Sequence, residues 1–382
     1  MTRAGTLALF SMILLAGCGG LRINRPLMTH PGDWLTFGGD PSRVNRTPAR
    51  INPPLREVWQ YNAQAGISGT PLVKDSVVVV ATLHGEIQAV ELRTGRRIGY
   101  KVLDAPLVGT PVLDKNRVVL ALAGSDQSLL MMDLENGRQV WAVDAGPIES
   151  SPLLYEEALY VGTLRGTVLA FNKATGEELW KFECGSKEHR EPVRSSPSTD
   201  GTVLCFGNDD GYLYGLRLQS GELLWKTNTG ASVFASPVVL EGLAVVGNLE
   251  GTIHAVDIQT GAVRWSYNTG SRVYGAVSAS RRVVYSGSAD GTLYALDLQT
   301  GSLLWTFAAE SVINSAPLVA GELVFVGSLD KTLYALETDT GRERWRWAAE
   351  GRIKVSPVLW GDYLLITSED KYITALRPEG VF

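Results

Sequence analysis

Histidine and cysteine are scarce in this chain, four and three among 382 residues. His30, His84, His189 and His254 stand far apart with no metal-ligand spacing, and nothing resembles a Ser/His/Asp elbow, a phosphate loop or a His/Glu zinc pair. No catalytic residue, metal site or cofactor is therefore predicted. There is no basic run either, and the formal net charge is −5, which argues against nucleic acid or anionic lipid headgroups as partners. A sustained 3.6-residue apolar period is also missing, which excludes an α-solenoid. The apolar run Leu7 to Ala16 is too short to persist as a bilayer span.

What the chain has in abundance is repetition. Gly251 to Trp265, Gly291 to Trp305 and Lys331 to Trp345 read almost alike. A Ser/Thr/Ala-Pro step ends at Pro71, Pro111, Pro152, Pro197, Pro237, Pro317 and Pro357, with Val277 in the sixth place; the spacings are 40, 41, 45, 40, 40, 40 and 40. That makes eight copies. Tryptophan follows the turn glycine by four residues at Trp141, Trp180, Trp225, Trp265, Trp305 and Trp345, whereas the first copy has Tyr100 one place later.

Each copy reads as four short strands. Arg282 to Ser286 and Thr292 to Leu296 flank Asp290-Gly291, a hairpin signal because glycine adopts positive φ without strain. Such a unit cannot bury both faces alone, so the units must stack, and strand-only repeats of this length stack radially. The predicted fold is all-β, an eight-bladed β-propeller of four-stranded antiparallel blades. The eighth copy lacks its tryptophan strand, and Trp59 lies twelve residues before Pro71, the interval separating Trp305 from Pro317. Hence the N-terminal strand is expected to complete the last blade and remove an open sheet edge. Trp59 and its six counterparts are expected to pack between neighbouring blades; Trp34, Trp347 and Trp360 are out of register.

Residues 55–382 form this predicted propeller. Residues 1–17 read as a secretory signal ending at Leu15-Ala16-Gly17-Cys18, which resembles the bacterial lipobox; the resemblance implies lipidation of Cys18, and Gly19 in place of Asp points to the outer membrane. Removing Arg3 leaves a mature chain of 34 basic and 40 acidic residues. Residues 18–54, with six prolines from Pro26 to Pro54, read as a tether lying over the propeller, pinned by Trp34 and Phe37. Cys184 and Cys205 fall on different blades and read as two free buried thiols.

Function is expected where the repeats differ. Three residues before each landmark proline position stand Ser68, Val108, Glu149, Arg194, Phe234, Tyr274, Asn314 and Lys354, varied side chains within a constant frame. They should ring one mouth of the channel, on the face of the acidic hairpin tips Asp210, Glu250, Asp290 and Asp330, and they form the candidate partner-binding surface. Relaxed packing at a solvent mouth accounts for the variation as well. The insertion Gly185 to Glu191 precedes Arg194 on this face.

Ala255-Val256-Asp257-Ile258-Gln259-Thr260-Gly261 with Trp265, and Ala295-Leu296-Asp297-Leu298-Gln299-Thr300-Gly301 with Trp305, resemble the tryptophan-docking motif of pyrroloquinoline quinone (PQQ) repeat propellers. Within that superfamily an eight-bladed lipoprotein with compact blades is similar to the BamB family of outer-membrane protein assembly factors. The resemblance implies a noncatalytic periplasmic scaffold, anchored in the outer membrane, whose partner is a component of the β-barrel assembly machinery. Two alternatives stand beside it: a carbohydrate- or peptide-binding propeller, and a PQQ-dependent dehydrogenase. The latter resemblance implies adjacent cysteines, a calcium cluster and long inserted loops, none of which this sequence displays.

Overall fold

The computed structural model describes residues 21–185 and 189–380. The expected signal segment, residues 1–17, and Cys18 lie outside them, as does part of the insertion before Arg194. The expected wheel is present: eight sheets, each with four antiparallel strands that are consecutive in the chain except in the last blade, and a short parallel strand added to blade 7. Blade 5 is representative, with strands Val238–Leu240, Leu243–Gly247, Thr252–Asp257 and Val263–Asn268 ordered from the axis outward. Its second strand is buried along its whole length, while its outer strand alternates exposed and covered positions. Inner strands are sandwiched between neighbouring sheets and so carry mainly apolar or small residues on both faces, with buried polar exceptions such as Lys74 and Gln88 held by hydrogen bonds; outer strands meet solvent on one side. Blades 1 to 7 begin at Leu72, Val112, Leu153, Ser198, Val238, Ser278 and Leu318, and blade 8 at Val358.

Closure follows the predicted splice. Leu55–Asn62 pairs antiparallel with Tyr372–Pro378, setting Trp59 opposite Ala375. The Trp59 indole N–H donates to Leu92 O at 2.7 Å and the ring lies on Gly95 of blade 1, so one strand seals the ring twice, by a sheet ladder and by docking.

The same docking recurs between successive blades. The indoles of Trp141, Trp180, Trp225, Trp265 and Trp305 donate to Lys173, Leu218, Ile258, Leu298 and Thr338 carbonyls at 2.8–3.2 Å. Gly261 shows why the turn must be glycine: its φ is +69°, and a Cβ there would lie 2.6 Å from the Trp225 ring. Trp345 makes no such bond among the described residues, because blade 8 has no counterpart turn to receive it. Blade 1 has Gly99, paired with Ala89, at the docking position, and Tyr100 sits beneath the Arg97 guanidinium instead. The segment around Leu21 and Ile23 fills that gap. Leu21 O lies against Gly137 of blade 2, and Ile23 N–H donates to Leu134 O at 2.8 Å, the carbonyl equivalent to those that receive indoles elsewhere.

Residues 33–47 do more than lie over the propeller: they thread its axis. The carbonyls of Trp34, Leu35, Pro41, Ser42, Val44 and Asn45 accept the N–H groups of Val73, Leu113, Thr199, Val239, Ala279 and Val319 at 2.8–3.1 Å. Each donor stands two places after the landmark proline position on an innermost strand, whose inward edge is otherwise unpaired. Arg43 serves blades 3 and 4, with Nη2 donating to Ser151 O at 3.1 Å and Nε to Pro197 O at 2.6 Å. Blade 8 joins through Trp360 Nε1, which donates to Asp33 at 3.0 Å. Arg46–Thr47 then adds a fifth, parallel strand to the inner edge of blade 7, beyond the four predicted there.

Candidate functional site at the channel mouth

Strand direction sorts the loops onto two faces. In every blade the first strand runs away from the mouth, so the turn between second and third strands and the connection to the next blade share the mouth face. The turns between first and second and between third and fourth strands share the opposite face. The eight varied residues sit in the blade-to-blade connections. Seven of them, all but Arg194, line one cavity of about 190 Å³ whose lining also includes Phe37 of the axial segment. Arg194 stands beside it: it pairs with Glu149 at 3.4 Å and with Asp209, and its guanidinium lies 5.3 Å from the Phe234 ring centroid. Seven of the eight positions thus share one cavity, and Arg194 borders it.

Chemically the ring is uneven. Arg194, Phe234 and Tyr274 form a cation–aromatic arc, and Arg272 Nη1 donates to the Tyr274 hydroxyl at 3.3 Å. Lys354 is exposed and bonded to Glu369 of a hairpin tip, which Arg352 also contacts. Ser68 turns its hydroxyl to Val108 O at 2.7 Å, and Val108 contributes only an apolar wall. The Asn314 Oδ1 is enclosed without a hydrogen-bond partner among the described residues.

Beneath the ring runs a feature that sequence reasoning passed over. The N–H groups of Thr70, Thr110, Ser151 and Ser196 donate to the side-chain hydroxyls of Thr110, Ser151, Ser196 and Ser236 at 2.8–3.0 Å. This belt ties blades 1 to 5 edge to edge. Ala276 and Ala316 break it in blades 6 and 7. Its signal was available, since these are the Ser/Thr/Ala positions before the landmark prolines. Arg43 gave no signal, being a single residue in a segment that does not repeat.

The acidic hairpin tips on the mouth face are turn chemistry in part. Asp290 accepts from the Thr292 amide and the Tyr294 hydroxyl, both at 2.8 Å. Burial works against ionisation of Asp330, but the Tyr334 hydroxyl and the Thr332 and Glu310 amides outweigh it and hold the carboxyl below its ordinary value. His254 is a packed side chain, with Nε2 near Thr229 O at 3.1 Å and Nδ1 near Ser266 Oγ at 2.9 Å; burial lowers its pKa. Cys184 and Cys205 are unpaired and buried, and burial pushes the Cys184 thiol up to about 12. None of the out-of-register tryptophans offers a free platform: Trp34 is 3% exposed, Trp360 is bonded to Asp33, and Trp347 packs against the core. Among the described residues no group of His, Cys, Asp and Glu is placed to hold a metal ion.

A family model for the outer membrane protein assembly factor BamB matches residues 49–267 and 249–380. The chain belongs to the BamB family. BamB of Kangiella koreensis is 31% identical over 118 residues, 28% of this chain and 30% of that protein. The dehydrogenase subunit of the quinone alcohol dehydrogenase of Komagataeibacter europaeus is 27% identical over 201 residues, 43% of this chain and 27% of that one. The chain therefore spans under a third of the length of these curated relatives. Among solved structures, BamB of Moraxella catarrhalis superposes with a TM-score of 0.72 at 17% identity, covering 85% of this chain and 99% of that one. The quinohemoprotein alcohol dehydrogenase ADHIIG of Pseudomonas putida HK5 gives 0.80 at 15% identity, covering 92% and 81%. At such identities the two likenesses establish the shared propeller and nothing about chemistry.

Proposed function

We propose that this BamB family member is a lipid-anchored periplasmic scaffold of the outer membrane that binds a protein component of β-barrel assembly through the mouth ring. The observation that carries the reading is the ring itself: eight unlike side chains held by one repeated frame, with an arginine–aromatic arc of Arg194, Phe234 and Tyr274 along one side. Aromatic residues and arginine are enriched at protein interfaces: the rings bury much area with few rotatable bonds, and the guanidinium adds planar hydrogen bonding and stacking. Lipidation of Cys18 belongs to the same proposal, several acyl chains giving the stable attachment that one chain alone does not.

A catalytic reading has support in the quinone-dependent relatives, and the architecture weighs against it. A cofactor pocket ordinarily encloses about 300–1,000 Å³, whereas residues 33–47 fill the axis and leave a mouth cavity of about 190 Å³. A cavity of that size does not fit a quinone.

The test is affinity capture of the full chain from detergent-solubilised outer membrane, repeated with Phe234→Ala/Tyr274→Ala. A barrel-assembly component should co-purify with the parent and fall at least tenfold in the double variant. Recovery of no such component would reject the scaffold, and unchanged recovery by the variant would reject the mouth. Dye-linked alcohol oxidation after incubation with calcium and PQQ would instead establish the enzyme, and selective retention on a glycan array would establish the lectin.

A further inference from the structure

The face opposite the mouth carries its own site. The first turn of blade 6 reads Ser280-Arg281-Arg282, whereas the corresponding pairs in the other blades are Asp75-Ser76, Lys115-Asn116, Glu156-Glu157, Gly201-Thr202, Glu241-Gly242, Gly321-Glu322 and Gly361-Asp362. Blade 6 alone sets two arginines there. Arg46, delivered by the axial segment as it leaves the channel, lines the same cavity of about 640 Å³ together with Leu304 and Tyr285. Among the described residues no hydrogen bond or ion pair engages the guanidiniums of Arg46, Arg281 and Arg282, although the Arg282 carbonyl accepts from the Leu298 amide. Asp297 and Asp339 also line the cavity, but Asp297 is occupied: the Thr300 amide and hydroxyl hold its carboxyl low, with a smaller contribution from Arg282. Three guanidiniums against two carboxylates leave the cavity cationic, and guanidinium forks match phosphate oxygens. No run in the sequence announces this cluster, because Arg46 lies more than two hundred positions from Arg281.

We infer that this cavity binds the phosphate of an anionic phospholipid headgroup and that the face bearing it rests on the membrane. Three observations favour a bilayer as the source of the phosphate. Leu21 is fully buried on this same face, against the last turn of blade 2, and lies only three positions after Cys18. At about 3.5 Å per residue an acylated Cys18 reaches roughly 10 Å from that point. Blades 2 and 6–7 stand on opposite sides of the ring, so an anchor at one and a headgroup site at the other hold the wheel flat. Apolar side chains flank both points: Leu304 is 50% exposed at the cavity and Met28 is 63% exposed beside Asp75. The mouth face is then left facing the partner.

The orientation rests on the lipid-anchor reading; the phosphate site does not. The full chain in neutral detergent is titrated with short-chain phosphatidylglycerol, short-chain phosphatidylcholine and inorganic phosphate, following melting temperature and heat of binding. Phosphatidylglycerol should raise the melting temperature where the other two do not. Arg281→Glu/Arg282→Glu, on an exposed turn, should melt like the parent without lipid and bind phosphatidylglycerol at least tenfold more weakly. Arg46→Gln provides an independent variant on a different segment, expected to weaken binding several-fold. Equal responses to both lipids, or full binding by the variants, would overturn the site, and inorganic phosphate matching phosphatidylglycerol would overturn the lipid source. Cys18→Ala separates the two ideas: retention of Cys18→Ala/Arg281→Glu/Arg282→Glu in the membrane fraction would sink the anchor, whereas absence of phosphatidylglycerol binding by the membrane-anchored parent would sink the cavity.

Discussion

At the scale of single residues, the contact that repeats most faithfully is a tryptophan lying on the glycine of the next blade. In the blade 6–7 pair, Trp305 donates to Thr338 O at 2.9 Å and a Cβ on Gly341 would lie 2.4 Å from its ring, with Gly341 at φ +67°. Trp305→Ala should cost about 3–5 kcal/mol. Gly341→Ala removes the same contact from the other side and adds the left-handed penalty of about 1–2 kcal/mol. Because both changes destroy one interaction, the double variant should be clearly less destabilised than the sum of the two. Urea unfolding of the three variants measures this, and strict additivity would show that the ring and the glycine do not act as a unit. The tryptophans, their glycines and the strand order are all readable from one chain, since eight near-copies expose any position that packing holds constant.

Among the elements, Leu55–Asn62 has the most far-reaching role. It is the outer strand of blade 8 and simultaneously the donor of the Trp59 dock onto blade 1. Deleting residues 55–62 opens a sheet edge and separates the first and last blades, so cooperative thermal unfolding should be lost. A truncated protein melting in one transition at the parent temperature would contradict that role. The interval from Trp59 to Pro71 made this strand legible, whereas the Leu21–Ile23 stand-in on blade 2 was not, because it replaces an indole by backbone and leaves no side-chain signature.

For the whole molecule, the axial segment matters as much as the ring it fills. Arg43 is fully enclosed and donates to the carbonyls of Phe37, Ser151, Pro152 and Pro197. Burial lowers its pKa to about 9, with Asp40 opposing the shift. Arg43→Met keeps much of the volume but leaves four carbonyls without their donor, an expected loss of about 3 kcal/mol. Hydrogen exchange of the Leu113, Thr199, Val239 and Val319 amides should rise in that variant ahead of the outer strands. Protection equal to the parent's would show that the segment holds its place without Arg43.

The repeat by itself determined the number of blades, their strand order, the closing strand, the docking tryptophans and the eight positions of the mouth, because each of these is a consequence of a local period that every copy must obey. Only the tertiary structure decided that residues 33–47 occupy the channel, that Leu21 and Ile23 complete an inter-blade contact, and that Arg46 meets Arg281 and Arg282. Those depend on a non-repeating segment satisfying inward-facing backbone groups of many blades at once, and no short-range pattern encodes a partner that lies hundreds of residues away.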